Sequence, residues 1–358
     1  MQKNLRIGIS CHTFCLDGGM GRYVLLLTRA LSSLGYRPVV ISKKIDTNLP
    51  EYRLIEPVKI NTTLIPQKLV DTFFNYRLGQ ICQEQHLDLV LSCNRNTHSN
   101  ISMCGGTHIG YLRAMRKEPN FFDKRQIQLE RTYYNHCDLV VAHSKQMKRE
   151  LVDFYSVSAN KIFVSYPPFS VEKFSPTTEA NRQVLRQHFN FPVDKVIFLL
   201  PSAGNHYVKG FDLIADYFSK SSLPIELVVA GRPLPSSYKN VRSIGFQKDM
   251  PKVYQAADFT ILPSRYEAFG QVGPESVACG TPVIFSNVVG SSEVIDDRAK
   301  LIFDWSLNGD IDRVINQALQ WANKGARLQN PLELIQCKTD VVEHVKAILN
   351  AWMQRKGL

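Results

Sequence analysis

The sequence predicts an α/β chain built as two doubly wound parallel sheets. Three observations carry this: short continuous apolar runs, amphipathic stretches between them, and a proline-rich break near the middle. Continuous runs, rather than period-two alternation, suit parallel strands buried on both faces. Strand and helix in regular succession imply right-handed βαβ units.

In the first half the strand candidates are 5–10, 38–42, 87–92, 138–143 and 161–165, with 101–104 a weaker one. Between the first two, Val24, Leu27, Leu31 and Leu34 recur at helical spacing over 23–34. Tyr166-Pro167-Pro168-Phe169 then interrupts the pattern, and paired prolines between patterned blocks read as a domain boundary. A second series follows at 196–200, 225–230, 259–262, 283–286 and 301–303. The last stretch, 341–355, is amphipathic through Val342, Val345, Ile348, Leu349 and Trp352, and must dock on another element. The expected organisation is domain 1–170, domain 171–340, and a terminal helix 341–358 that returns to the first domain.

Composition narrows the class. Of 358 residues 44% are hydrophobic and 21% charged, which excludes a disordered chain. No apolar run approaches the ~20 residues that span a bilayer. The N-terminus has no long apolar segment of the signal-peptide kind. Eight cysteines at irregular spacing then read as free thiols in a reducing compartment, so a cytoplasmic protein is expected. Charge is uneven. Residues 1–175 hold 23 Lys and Arg against 14 Asp and Glu, a net of +9 out of the chain's +11. Arg113, Arg116, Lys117, Lys124, Arg125 and Arg131 form the densest part. Such a field attracts an anionic membrane, a phosphorylated substrate or nucleic acid, and the plainer alternative is a solvated helix face.

The richest segment is 265–284, beyond the strand 259–262, where doubly wound sheets bind ligands. Pro274 and Glu275 are expected to open a short helix that ends at Gly280. Gly270 and Gly273 let the backbone approach a ligand, and Glu267 and Glu275 can accept hydrogen bonds from sugar hydroxyls. A capped helix with solvated glutamates is the competing reading. Gly18-Gly19-Met20-Gly21 precedes an amphipathic helix and suits a phosphate or an ordinary tight turn. It is not G-x-G-x-x-G, which weakens a dinucleotide dehydrogenase reading. Cys11-His12-Thr13-Phe14-Cys15 reads as a buried thiol pair, not a metal site, and Asp310-Ile311-Asp312 as surface charge. No metal and no cofactor are expected.

Glu267 and Glu275 match the E-x7-E motif of glycosyltransferase family 4, and the chain resembles that family over most of its length. The glycine loop 18–23, the unit 138–151 and the stretch 241–264 are similar to its other motifs. The resemblance implies a GT-B fold, with two doubly wound Rossmann-like domains facing across a cleft and a terminal helix on the first. It further implies a metal-independent, retaining hexosyltransferase. Glu275 would bind ribose. Glu267 and the backbone of Phe269, Gly270, Gln271 and Val272 would hold the donor sugar. Gly245 and Phe246 would border the base, and Gly18 and Gly19 the donor phosphates. Lys209 would contact the donor diphosphate and His108 the donor sugar, so His108, Lys209 and Glu267 are the catalytic candidates. Relatives pair that lysine with an upstream arginine, which 204–208 lacks; Arg265 or Arg22 would take its place.

The chain also resembles bacterial lipopolysaccharide-core glycosyltransferases across 121–151 and at Tyr166-Pro167-Pro168. This implies a nucleotide sugar as donor, with UDP-N-acetylglucosamine or UDP-glucose leading and ADP-heptose next, and an anionic glycolipid as acceptor. Arg113, Arg116, Lys117, Lys124 and Arg125 would then face the acceptor or the inner face of the bacterial inner membrane, where the protein would sit peripherally; nucleic acid is not expected. A sugar-nucleotide epimerase and a non-catalytic nucleotide-sugar-binding protein stay open beside this reading.

Overall fold

Seven parallel strands make the first sheet, in the order β3-β2-β1-β4-β5-β6-β7: β1 Ile7–Ser10, β2 Val39–Ser42, β3 Glu56–Lys59, β4 Leu89–Ser92, β5 Ile101–Cys104, β6 Leu139–Ala142 and β7 Ile162–Val164. The computed structural model describes residues 5–16, 18–337 and 339–357. It divides into two units, one made of Met1–Pro168 with Asp340–Leu358, the other of Phe169–Thr339.

Strands β1, β2, β4, β5 and β6 are buried at every position, as continuous apolar runs require. Within β2, Val40 joins the core of Ile7, Ile9 and Leu91, while Val39 and Ile41 turn to Phe74 and Leu78. β3 is an edge strand that the apolar pattern does not reveal. Its Pro57 is tolerated there because an edge position need not donate to a neighbour, and its burial alternates.

The Gly18–Ser33 helix begins five residues before the periodic apolar pattern, so the glycine run forms its first turn instead of preceding it. Against this helix packs the terminal helix Val341–Lys356, which buries Val345, Ile348, Leu349 and Trp352. Asp340 caps it by accepting from the Glu343 amide at 2.9 Å. The Trp352 indole donates to Asp138 at 3.0 Å. The terminal helix therefore belongs to the first unit's core.

The second unit holds six parallel strands in the order β10-β9-β8-β11-β12-β13. They are β8 Val196–Ser202, β9 Ile225–Gly231, β10 Val241–Gly245, β11 Phe259–Leu262, β12 Val283–Ser286 and β13 Lys300–Phe303. Alternate residues serve two cores: Phe198, Leu200, Leu227 and Val229 on one face, Ile197, Leu199, Val228 and Ala230 on the other. Two elements here lack a strong apolar signature. One is the edge strand β10; the other is the helix Glu179–His188, which lies between the proline-rich break and the strand candidate at 196–200. That helix is pinned by charge: Arg186 donates to Asp258 at 3.0 Å, and Arg182 pairs with the same carboxylate. Among the described residues no helix is long and apolar enough to cross a membrane.

Candidate functional site

Strand order in the second sheet reverses between β8 and β11, and ligands of doubly wound sheets bind beyond the strand carboxyl ends at such a point. Both loops that leave this point bring charge. Lys209 follows β8, Glu267 follows β11, and their side chains form an ion pair. Lys209 keeps 28% of its side-chain surface exposed and Glu267 17%, so each remains open to a ligand.

Gly210 explains how residues 58 apart in sequence meet. Its φ is +71°, and a Cβ there would lie 1.9 Å from the Pro263 carbonyl oxygen. Only glycine permits that approach. Next to it the Val208 carbonyl accepts from the Arg265 amide at 2.9 Å, which ties the two loops together.

The Glu267 loop is clipped from its other side. The Gly290 amide donates to the Glu267 carbonyl at 3.1 Å, and the Ser291 amide to the Phe269 carbonyl at 2.6 Å. Phe269 is 4% exposed, which leaves mainly backbone to face a ligand. The helix that follows is Val272–Ala278, two residues earlier than Pro274 suggests, and Glu275 lies in its first turn. Glu275 is buried, not a solvated surface group. It accepts from the Tyr254 hydroxyl at 3.1 Å, a partner that no sequence motif announces.

A recess of 860 Å³ lies along β9 and β10, lined by Gly231, Tyr238, Arg242, Gly245 and Phe246 among others. Phe246 is 69% exposed, an aromatic face available for stacking. Arg242 is turned to the Phe189 and Asn190 carbonyls at 3.0 and 3.2 Å.

Arg265 is engaged by its own unit. It grips Asp212 through two bonds of 2.6 and 2.8 Å, donates to the Tyr207 carbonyl at 2.7 Å and lies 4.0 Å over the Tyr207 ring. His206 bridges the Ser202 hydroxyl at 2.8 Å and the Pro233 carbonyl at 3.1 Å. Exposed Arg232, just beyond β9, donates from Nε to the Ala203 carbonyl at 2.9 Å. It was not singled out from the sequence. Its position one residue past a strand's carboxyl end was the available signal.

The remaining candidates lie in the first unit. His108 opens the helix His108–Ala114 directly beyond β5; Nε2 is 2.8 Å from Asp123, and its amide donates to Glu130 at 2.8 Å. Thr107 caps that helix by accepting from the Gly110 amide at 3.0 Å. Gly18 and Gly19 are exposed in the first turn of their helix, and Arg22 belongs to the same turn. Arg113, Arg116, Lys117, Lys124 and Arg125 are all exposed, as are Phe121 at 74% and Phe122 at 57%. Lys68 lies 5.5 Å over the Phe122 ring.

Cys15 is half-buried, so only Cys11 of that pair is a core thiol. Asp310 is no solvated charge: it accepts from the Asp304 amide at 2.8 Å and from Arg313 at 2.6 Å. Among the described residues no group of three or more His, Cys, Asp or Glu side chains is placed to hold a metal ion.

Residues 17–173 match the model of Glycosyltransferase Family 4, and residues 194–322 that of Glycosyl transferases group 1. The chain is 39% identical over 350 residues to a protein of Burkholderia thailandensis named probable transglycosylase, covering 97% of this chain and 96% of that one. It is 25% identical to D-inositol 3-phosphate glycosyltransferase of Xylanimonas cellulosilytica over 83% and 84% of the two chains. Among solved structures it is similar to WaaG, a glycosyltransferase involved in lipopolysaccharide biosynthesis, with a TM-score of 0.76, 15% identity and 98% of each chain covered. It is also similar to Anabaena HepE in complex with UDP and glucose, with a TM-score of 0.77, 16% identity, and 98% and 100% of the chains covered.

Proposed function

The chain belongs to glycosyltransferase family 4 and is a glycosyltransferase of the GT-B type, and on that premise we propose that it moves a hexose or N-acetylhexosamine from a UDP-sugar to an anionic glycolipid. The observation that carries the reading is the Lys209–Glu267 pair at the point where the second sheet's strand order reverses. HepE, of similar fold, holds UDP and glucose.

In this reading the base stacks on Phe246 in the recess along β9 and β10, and Glu275 accepts from ribose hydroxyls. The diphosphate lies toward Lys209, and Glu267 accepts from the donor sugar. The acceptor hydroxyl attacks the anomeric carbon from the face that the diphosphate leaves. The new glycosidic C–O bond forms as the bond to the diphosphate breaks, and the hydroxyl proton passes to the departing phosphate oxygen. Configuration is retained without a protein nucleophile. Catalysis then rests on position and on neutralising the leaving group, which Lys209 does once the diphosphate draws it from Glu267. No divalent metal is required in this scheme.

The acceptor side of the proposal draws on the exposed cations Arg113, Arg116, Lys117, Lys124 and Arg125 with Phe121 and Phe122 beside them. Cations attract anionic headgroups, and exposed aromatic rings suit the membrane interface. The test is calorimetric titration with UDP-, ADP- and GDP-sugars, together with slow donor hydrolysis in the absence of acceptor. Binding and hydrolysis of a UDP-sugar support the reading. Binding of none of them overturns it, and selective binding of an ADP-sugar moves the donor to that class.

A further inference from the structure

Charge around the proposed diphosphate position does not yet balance. Lys209 is paired with Glu267 and Arg265 with Asp212, and Glu275 adds a buried carboxylate. Two cations against three anions give a net of −1 where a leaving group of two or three negative charges must be received. Such a site needs a further cation that is not already neutralised.

We propose that Arg232 is that cation, the second contact to the donor diphosphate, in place of an arginine on the loop before Lys209. This rests on the nucleotide-sugar reading of the site. Arg232 forms no ion pair among the described residues, and its side chain is exposed. Its backbone amide donates to the Ser202 carbonyl at 3.0 Å, and Nε to the Ala203 carbonyl at 2.9 Å. These bonds hold the guanidinium against the start of the 203–209 loop. They engage Nε and leave the two terminal nitrogens to form the fork that suits phosphate oxygens.

The neighbours place it on the route a nucleoside diphosphate would take. Gly231, immediately before it, lines the recess beside Phe246. Next in sequence to its partner Ala203 comes Gly204, where an added Cβ would meet nothing closer than Lys209 Cε at 3.9 Å. Arg232 thus ties the end of β9, where Gly231 lines the recess, to the 203–209 loop that carries Lys209. Gly204 is the open position beside Lys209, and in the proposal a phosphate fills it and is met by Arg232 from the end of β9.

The experiment is calorimetric titration of UDP, ADP and GDP into the wild type and into R232A, R232Q, R232K and the double variant G204R/R232A. Melting is followed for each. The expected result is a tenfold or greater loss of affinity for the preferred nucleoside diphosphate in R232A. R232Q shows the same loss, because it can still bond the Ala203 carbonyl but carries no charge, and R232K a smaller one. G204R/R232A regains most of the affinity, since it returns a guanidinium to the room beside Lys209. Equal affinity in the wild type and R232A overturns the assignment and leaves the nucleotide-sugar reading standing. Loss in R232A that R232Q restores makes Arg232 a loop pin and overturns it too. No binding of any of the three nucleotides by the wild type overturns both.

Discussion

The Tyr23 hydroxyl lies 2.8 Å from Nε2 of His344, a residue 321 positions further along the chain. Nδ1 of the same ring is 3.0 Å from the Ser165 hydroxyl, so one imidazole joins the first helix, the end of β7 and the terminal helix. Burial lowers the His344 pKa from 6.5 to about 4. His143, whose ring meets Tyr23 edge-on at 4.9 Å, is lowered to about 3 by burial and by His344.

Both folded values lie below the unfolded value, so below about pH 6.5 the unfolded chain binds protons that the folded chain refuses. The contribution is complete above pH 6.5 and is lost as pH falls through 6.5, down to about 4 for His344 and about 3 for His143. Thermal unfolding of the first unit should shift down between pH 7 and pH 5, and His344→Gln should lessen that shift. An unchanged shift in the variant would assign the proton uptake to other groups.

Lys209→Ala should lower turnover roughly 10²–10³-fold, the range for removing one stabilising donor from a developing charge. The pair it breaks is partly exposed, and the unfolding midpoint should move by less than about 4 °C. Steady-state rates beside a melting curve decide this. A variant that melts early yet turns over normally when folded would make the lysine structural.

Glu275→Gln keeps the shape and a hydrogen-bond acceptor for Tyr254 but removes the charge. UDP affinity should fall by about 1.5–3 kcal/mol if ribose hydroxyls bond to this carboxylate. Tyr254→Phe is the control, because it removes the phenol and leaves the carboxylate. Calorimetry that finds both variants at wild-type affinity refutes the ribose role.

Reversal of Arg116, Lys117, Lys124 and Arg125 to Glu should abolish retention on anionic vesicles and leave UDP affinity intact. Wild-type retention should fall steeply with salt, since attraction fades over ~8 Å at physiological ionic strength. Replacing Phe121 and Phe122 by Ala should weaken the salt-resistant part. Co-sedimentation on neutral and anionic vesicles reads all three, and equal retention on both would sink the membrane-surface reading.

The strands buried on both faces were legible because their apolar runs have no other use. Phe259–Leu262 and Val283–Ser286 lie where the pattern puts them. Two of the four edge strands were not: Glu56-Pro57-Val58-Lys59 carries a proline and alternates, and Val241–Gly245 carries Arg242 and Ser243, whereas the edges Ile162–Val164 and Lys300–Phe303 lie where the pattern puts them. Helix starts were blurred by glycine, whose poor propensity hid the first turn at Gly18. At the site, the motif locates Lys209 and Glu267 but not their ion pair, which depends on the close approach at Gly210. That Arg265 is committed to Asp212 is equally invisible, because a partner 53 residues away leaves no local signature.

The position of the terminal helix has a consequence for synthesis. Residues 169–339 are inserted, in chain order, between the body of the first unit and the helix that completes its core. On a ribosome that adds roughly 5–20 residues per second, the groove awaiting Trp352 stays open for roughly 10–40 s after Pro168 is made. For that interval Leu27, Leu31 and the other groove residues are an adhesive surface on a nascent chain. The second unit, contiguous in sequence, can close first. A chaperone that holds the first unit, or a premature stop before Val341, would therefore act on an unfinished core at the amino end, far from the position of the stop.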